Sequence, residues 1–392
     1  MNHYKYVIVG GGMTADSAVK GIRDFDTIGT VAIFSEEKVL PYNRPPLSKG
    51  VWKGEQLDTI WRKTDQYKVD FYPSITITHV SPSDRFVKSG DGQSYTYEKL
   101  LLATGGSTRK LAFGNNDMIY FRTQGDYTNL RIAADKHQEF VVIGGGFIGS
   151  EIAAALAMNN EKVTMILPEE GIGRKIYPKG LSSFLVKYYN ERGVVVRAGE
   201  SVKAIEGNVS RYVIKTSSGK SVSAGCVVAG LGITPNDSLA KSAGLATDNG
   251  IIVDSLVRTT DHDVFAAGDV ANFYNSALDK RMRVEHEDNA NKMGTIAGHN
   301  MTGRMERYDY LPFFYSDLFD LGFEAVGELD SRLETYEDWI EQYMKGVVYY
   351  LADGLVKGAL LWNTWGKVDE ARELVNSKKS QTKMSLKGMI RD

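Results

Sequence analysis

Val141-Val142-Ile143-Gly144-Gly145-Gly146-Phe147-Ile148-Gly149-Ser150-Glu151 is an apolar run that breaks into glycines and opens at once into the helical pattern Ile152-Ala153-Ala154-Ala155-Leu156. The chain carries this arrangement twice, the other copy being Val7-Ile8-Val9-Gly10-Gly11-Gly12-Met13-Thr14-Ala15 near the N-terminus. In each copy the first glycine, Gly10 or Gly144, permits a tight turn, and Gly12 or Gly146 lets backbone approach a diphosphate. The last position, Ala15 or Gly149, must be small for the helix to pack on its strand. A diphosphate held there lies against free helix N–H groups at the positive end of the helix dipole.

Each loop is followed by a second strand that ends in an acid, Val31-Ala32-Ile33-Phe34-Ser35-Glu36 and Val163-Thr164-Met165-Ile166-Leu167-Pro168-Glu169. Both acids follow their first glycine by about 25 residues, near the roughly 20 expected of a ribose-binding carboxylate. Glu36 and Glu169 are therefore candidate acceptors for adenosine ribose hydroxyls, with an exposed strand-end acid as the plainer alternative. Two dinucleotide sites in one chain point to electron transfer between them.

A chain of 392 residues has length for two or three domains, and 42% hydrophobic with 24% charged residues is ordinary for a globular protein. A net charge of −2 gives no reason to expect nucleic acid as a partner. The longest uncharged stretch, Ser221 to Asn236, is glycine-interrupted and shorter than the ~20 residues of a membrane span. The first strand begins without a basic and apolar leader, which makes the cytoplasm the expected compartment. Cys226 is the only cysteine, so no intrachain disulfide or paired-thiol redox centre can form. Its setting, Ala224-Gly225-Cys226-Val227-Val228-Ala229, reads as a buried strand in which the thiol is a small core hydrophobe.

Alternating strands and helices around each loop predict two parallel sheets covered on both faces. The first region takes in residues 1–115, closing on Leu100-Leu101-Leu102-Ala103-Thr104-Gly105-Gly106, and resumes over 245–310 with Val264-Phe265-Ala266-Ala267-Gly268-Asp269-Val270. The second covers 116–244 and closes on Val227-Val228-Ala229-Gly230-Leu231-Gly232. A helix over roughly Asp288 to Met301, with Ala290, Gly294, Ala297 and Gly298, suggests close packing. From residue 311 to 392 the texture turns aromatic and alternating, with Asp353-Gly354 as a hairpin signal, and predicts an antiparallel α+β domain. The final residues carry Lys378, Lys379, Lys383, Lys387 and Arg391, the composition of a solvated tail or a docking patch.

With both glycine loops, Ala103-Thr104-Gly105 and Gly268-Asp269, the chain resembles the two-dinucleotide flavoprotein reductases of glutathione-reductase-like architecture. Leu40-Pro41-Tyr42-Asn43-Arg44-Pro45-Pro46-Leu47-Ser48-Lys49 is similar to the flavin-side loop of the apoptosis-inducing factors and the bacterial NADH–ferredoxin reductases. Val284-Glu285-His286, Phe313-Phe314-Tyr315-Ser316-Asp317-Leu318 and Leu360-Leu361-Trp362-Asn363 extend the resemblance nearly to the C-terminus. It implies FAD on the first region, a nicotinamide nucleotide on the second, and a C-terminal domain over the flavin. It also implies that Lys49 lies beside the reactive nitrogen of the flavin and pairs with Glu151, for which a helix-start acid is the alternative. The three prolines give a stiff segment that can hold Arg44 and Lys49 against a ligand. Asp269 fits a ribityl acceptor. The helix after Glu285 and His286 can aim its positive end at the pyrimidine edge, so His286 is either a site residue or a structural histidine. Phe314 and Tyr315 could pack beside the nucleotides or within the core. Tyr315 stands where the family usually has tryptophan, the long C-terminal insertion of the mitochondrial members is missing, and Ser48 occupies a loop in which related disulfide reductases carry a cysteine.

The function expected is an FAD-dependent NADH oxidoreductase that passes hydride from NADH to FAD and then electrons to an external acceptor, an iron–sulfur protein or a quinone. Glu169 predicts NADH over NADPH, with Arg174 as the cation that could blunt the preference. The alternative is an NADH redox-sensing binding protein of low turnover, with redox-linked homodimerisation. No metal site is expected.

Overall fold

The apolar runs before both glycine loops become central strands of two parallel sheets, in a computed structural model that describes residues 2–114 and 117–391. The sequence boundary at 115 and 116 lies outside the described residues. In the first sheet, Asn2–Val9 lies between Val31–Ser35 and Ser94–Leu102, all parallel. Asp70–Pro73 extends one side, and Val264–Ala266 joins the far side of Ser94–Leu102. Val7, Ile8, Leu100 and Leu101 are fully buried, the near-continuous apolar run that a parallel sheet covered on both faces requires. The helix Met13–Phe25 packs on Glu287–Met301 at very short range, since a Cβ on Gly298 would lie 2.2 Å from the Ala18 carbonyl oxygen.

The second sheet repeats the plan, with Glu139–Ile143 between Lys162–Leu167 and Cys226–Ala229, and Val194–Ala198 and Ile119–Tyr120 at its edges. The sequence pattern of strictly alternating strands and helices departs from the structure in one respect. Antiparallel strands stand where part of the helical crossover is expected: Ile77–Ser81 and Phe86–Ser89 on Ser94–Leu102, and the meander Val202–Asn208, Arg211–Thr216 and Ser221–Ala224. Two of them have a two-residue period: Val87 and Ser89 are buried in Phe86–Ser89, and Tyr212, Ile214 and Thr216 in Arg211–Thr216, each between more exposed neighbours. Such a period cannot sustain a helix.

Five antiparallel strands follow, in the order Phe313–Leu318, Leu321–Gly327, Leu355–Trp362, Lys345–Ala352 and Glu334–Glu341. The predicted hairpin turn is present, with Asp353 and Gly354 at φ 52° and 74°, the two left-handed residues that a type I′ connection needs. The basic C-terminal segment is not a free tail. Leu386 and Ile390 are buried, the Gly388 N–H donates to Asp338 Oδ2 at 2.7 Å, and Arg391 lies 3.4 Å from Asp338 Oδ1. The two apolar side chains among the lysines supply the anchor that a count of charge alone overlooks.

The chain packs as two compact units. One comprises Met1–Asn43, Asp58–Ser107 and Thr234–Pro312, and the other Arg44–Leu57, Thr108–Ile233 and Phe313–Asp392. The proline-rich stretch, which the sequence pattern places in the first region, is thus divided: Leu40 to Asn43 pack in the unit of the first glycine loop, and Arg44 to Lys49 in the unit that holds the second. The aromatic strands share that unit. Among the described residues no helix is long and apolar enough to cross a membrane.

Candidate functional site

The two glycine loops adopt the same backbone solution. Gly10 and Gly144 have φ of 119° and 108°, and a Cβ on either would lie 2.1 Å from the Ala103 carbonyl oxygen or 2.5 Å from that of Gly230. Both positions therefore exclude any side chain on two grounds, backbone conformation and space. Gly149 passes as closely, 2.1 Å from the Gly144 oxygen, while Ala15 is fully buried. Around Gly12 and Gly146 the situation is reversed, with no neighbouring atom within 4 Å of an added Cβ. These two residues cap the helices Met13–Phe25 and Phe147–Met158 without a side-chain hydrogen bond. Open space beside uncapped helix N–H groups is the geometry a diphosphate requires, and the residues present fit one in each unit.

The rest of the first unit's candidate site gathers around its loop. Thr14 is buried against Gly268, where a Cβ would lie 2.2 Å from Thr14 Oγ1. Thr104 Oγ1 donates to the Asn236 carbonyl at 2.7 Å, the Asn236 side chain returns a bond to the Thr104 carbonyl at 2.9 Å, and the Asn236 N–H reaches the Gly105 oxygen at 3.0 Å. Thr104 and Gly105 are thereby held in place by a residue far along the chain, while the Ala103 N–H donates to the Val9 carbonyl at 2.8 Å. Arg283 donates to the Asp269 carbonyl at 2.7 Å and pairs with Glu285 at 2.6 Å, tying the Gly268-Asp269 turn to the approach of the helix Glu287–Met301. His286 is the extended residue immediately before that helix, half-buried, and Glu36 is exposed just past the strand Val31–Ser35.

In the second unit one carboxylate collects three donors. Glu151 is 2% exposed; its Oε2 accepts from Ser48 Oγ at 2.6 Å and Lys49 Nζ at 2.8 Å, and its Oε1 accepts from Ser316 Oγ at 2.6 Å. The donors come from two separate elements. Pro45 and Pro46 open the short turn Pro45–Ser48, whose fixed φ presents Ser48 and Lys49 together. The Trp52 indole fastens the turn by donating to the Leu47 carbonyl at 2.9 Å, and Asn159 caps the end of Phe147–Met158 while reaching the Trp52 carbonyl at 3.1 Å. Ser316 comes from the aromatic strand Phe313–Leu318. Its neighbour Tyr315 lies under Lys49, with Nζ 5.3 Å from the ring centroid, whereas Phe314 joins Phe147 and Phe323 in an aromatic cluster. Burial first, then neighbouring phenols and the Glu151 charge, hold the Tyr177 hydroxyl well above the ordinary phenol range.

Glu169 is half-buried beyond the strand Lys162–Leu167, and the cation that meets it is Lys175, 3.0 Å away and largely exposed. The sequence reading weighed Arg174 for that place. The Arg174 carbonyl accepts from Ser331 Oγ at 2.7 Å, and it is the ammonium of the next residue that reaches Glu169. Arg44 donates to the Arg122 carbonyl at 2.9 Å, and Gly232 has φ 79° with open space beside it. Cys226 is buried within its strand, and burial pushes its thiol up to about 12, so it supplies no thiolate at neutral pH. Sequence reasoning overlooked Ser48 and Ser316 as ligands of Glu151, as well as Arg283 and Lys175. Serines carry no sequence signature of such a role, while Arg283 adjoins a motif already singled out.

The chain matches the family model described as pyridine nucleotide-disulphide oxidoreductase over residues 4–294, and the model of the C-terminal part of mitochondrion-associated apoptosis-inducing factor over 336–377. It is 34% identical to "Apoptosis-inducing factor 1, mitochondrial" of Dictyostelium discoideum, covering 96% of this chain and 79% of that one. It is 32% identical to the ferredoxin–NAD(+) reductase component of the anthranilate 1,2-dioxygenase system of Burkholderia cepacia, covering 94% and 93%. Among solved structures, the covalent putidaredoxin reductase–putidaredoxin complex aligns with a TM-score of 0.89 and 26% identity, over 97% of this chain and 94% of that one.

The Lys49 and Glu151 contact leads to a test that needs no assumption about a ligand. Lys49→Met and Glu151→Gln should each destabilise the folded protein. The double variant should be less destabilised than the sum by about 1–3 kcal/mol, because each single change strands a buried partner. Denaturant unfolding of the four proteins measures the coupling, and additive effects would show that the pair does not interact in solution.

Proposed function

As a chain that belongs to the pyridine nucleotide-disulphide oxidoreductase family, the protein is an FAD-dependent NADH oxidoreductase that hands electrons to an external acceptor, and we propose that this acceptor is a small iron–sulfur protein of the ferredoxin type. The observation that carries the proposal is likeness along nearly the whole chain to a ferredoxin–NAD(+) reductase component and to putidaredoxin reductase in its complex with putidaredoxin, together with a lone cysteine that is buried. With no thiol pair to receive electrons from the flavin, they must leave to another molecule.

In this reading the first glycine loop and the start of Met13–Phe25 hold the FAD diphosphate, Glu36 meets its adenosine ribose, and Asp269 accepts from the ribityl chain. Thr14, Ala103, Thr104 and Gly105 line its path, and the helix behind Glu285 and His286 offers its positive end to the flavin's pyrimidine edge. The second loop holds the NADH diphosphate, Glu169 its ribose, and Gly232 leaves room for its passage. Bound FAD supplies the chemistry that this chain lacks, taking two electrons from NADH and releasing them one at a time. Lys49, fixed by Glu151, presents an ammonium at a set position, and the prolines of the Pro45–Ser48 turn limit the freedom it must lose in doing so. The serine hydroxyls occupy further acceptor sites of Glu151, and Lys49 brings the positive charge to it.

Two measurements follow. With excess NADH, the holoprotein should reduce a [2Fe–2S] ferredoxin with saturable kinetics, two ferredoxins per NADH. Fast turnover with a short-chain quinone and no saturation by any ferredoxin would assign the other acceptor class. Nucleotide choice rests on Glu169. The extra phosphate of NADPH brings negative charge against this half-buried carboxylate, a cost on the order of 1–3 kcal/mol, or about ten- to hundred-fold in specificity. Lys175 offsets part of it, but an exposed ammonium is screened and weak. Anaerobic flavin reduction should therefore favour NADH; Glu169→Ala should raise NADPH use, and Lys175→Ala should lower it further. Equal efficiency with NADPH in the unaltered protein, or no gain in Glu169→Ala, would show that this acid does not select.

A further inference from the structure

A second buried carboxylate lies where the FAD reading makes it least welcome. Asp16 is 0% exposed, in the first turn of Met13–Phe25, the helix whose start faces the open space beside Gly12. An acid near a helix N-terminus is ordinarily favourable, because it meets the positive end of the dipole. Once a diphosphate occupies that end, a buried carboxylate within the same turn competes for the dipole and repels the ligand through a medium that screens little.

The surroundings of Asp16 answer this conflict with cations. Arg62 Nε lies 2.6 Å from Oδ2, Lys20 Nζ 2.8 Å from the same oxygen, and Thr64 Oγ1 donates to Oδ1 at 2.7 Å. The two cations are not equivalent. Lys20 is 38% exposed and reaches out from one helical turn further on, whereas the Arg62 side chain is 11% exposed and held on three sides. Its Nη1 donates to Asn43 Oδ1 at 2.7 Å and its Nη2 to Ser17 Oγ at 3.0 Å, while Ser17 in turn donates to Asn291 Oδ1 at 3.1 Å. A guanidinium engaged by a fork of this kind is pre-organised, and little of its attraction for Asp16 is lost to solvent.

We propose that Arg62 is a positioning residue for flavin binding: it cancels the Asp16 charge beneath the diphosphate site and fixes Asp16 and Ser17, so that the first-turn N–H groups meet the phosphates without a buried anion behind them. The inference rests on the reading that FAD occupies the first glycine loop. It makes the role of Arg62 conditional on Asp16, which a direct contact with FAD would not do, and it expects Asp16→Asn to keep or tighten FAD binding, which a structural need for the acid would not. Arg62 is needed because Asp16 is charged; remove the acid, and the need goes with it.

The test is FAD binding itself, with the full-length protein stripped of flavin and reconstituted, and the dissociation constant read from quenching of flavin fluorescence. Arg62→Met should weaken FAD binding at least ten-fold. Asp16→Asn should bind FAD as tightly as the unaltered protein or more so, and Asp16→Asn with Arg62→Met should return to within about three-fold of it. A double variant as weak as Arg62→Met, or a ten-fold loss in Asp16→Asn alone, would overturn the proposal. Should Arg62→Met fail to fold, the direction of the Asp16→Asn effect decides by the same criterion. Unaltered protein that takes up no FAD would overturn the cofactor reading instead, which separates the two failures.

Discussion

One buried carboxylate fastens together three stretches that are remote in sequence. Glu151 belongs to the helix of the second glycine loop, Ser48 and Lys49 to the proline-rich turn, and Ser316 to the aromatic strand, and all three donors close on its two oxygens. Such a group is costly to bury. Taking a carboxylate out of water is compensated only when its acceptor sites are filled with good geometry, and removal of one partner leaves the rest worse off than an apolar core would be. The arrangement therefore specifies position more than it adds stability. Lys49 is held by its ammonium from one side and rests on the Tyr315 ring from the other, with few alternative places to go.

The glycine loops impose a second constraint, of backbone rather than charge. In both, the residue after the strand must take positive φ while passing a carbonyl on a neighbouring strand at a distance that no Cβ allows, and two residues later the chain must leave open space. These demands meet because a parallel strand, a tight turn and a helix start are joined without slack, so the free N–H groups at the helix start all face the same way. The duplication explains why one chain can hold two dinucleotides. The copies differ in the residues after their glycine triplets, Met13-Thr14-Ala15 against Phe147-Ile148-Gly149, and in what packs around them, Asp16 with Arg62 at the first and Phe147 with Phe314 at the second.

Much of this was legible in the residues. Glycine spacing and flanking apolar runs locate both loops, because only those residue types satisfy the backbone demands. Asp353-Gly354 predicts its turn for the same reason. What stayed hidden depended on distance in sequence or on residues without a signature. Ser316 looks like any strand serine until the fold brings it to Glu151, and two adjacent cations, Arg174 and Lys175, look alike in the sequence although it is Lys175 that meets Glu169. The antiparallel meanders fell outside the expected alternation because their short two-residue patterns sit between strong parallel-strand signals. The C-terminal lysines masked Leu386 and Ile390, whose burial decides where that segment lies.

These features converge on a chain that uses a bound flavin, served by a nicotinamide nucleotide and emptied by an outside acceptor. Cys226, alone and buried, is not placed to store electrons. The most direct measurement is an anaerobic titration of the FAD-loaded protein with NADH, following the flavin absorbance and counting electrons taken up. The account predicts complete reduction by one NADH per flavin, with the same end point in Cys226→Ser. Uptake of a second equivalent, or a changed end point in that variant, would reveal another redox centre and contradict it.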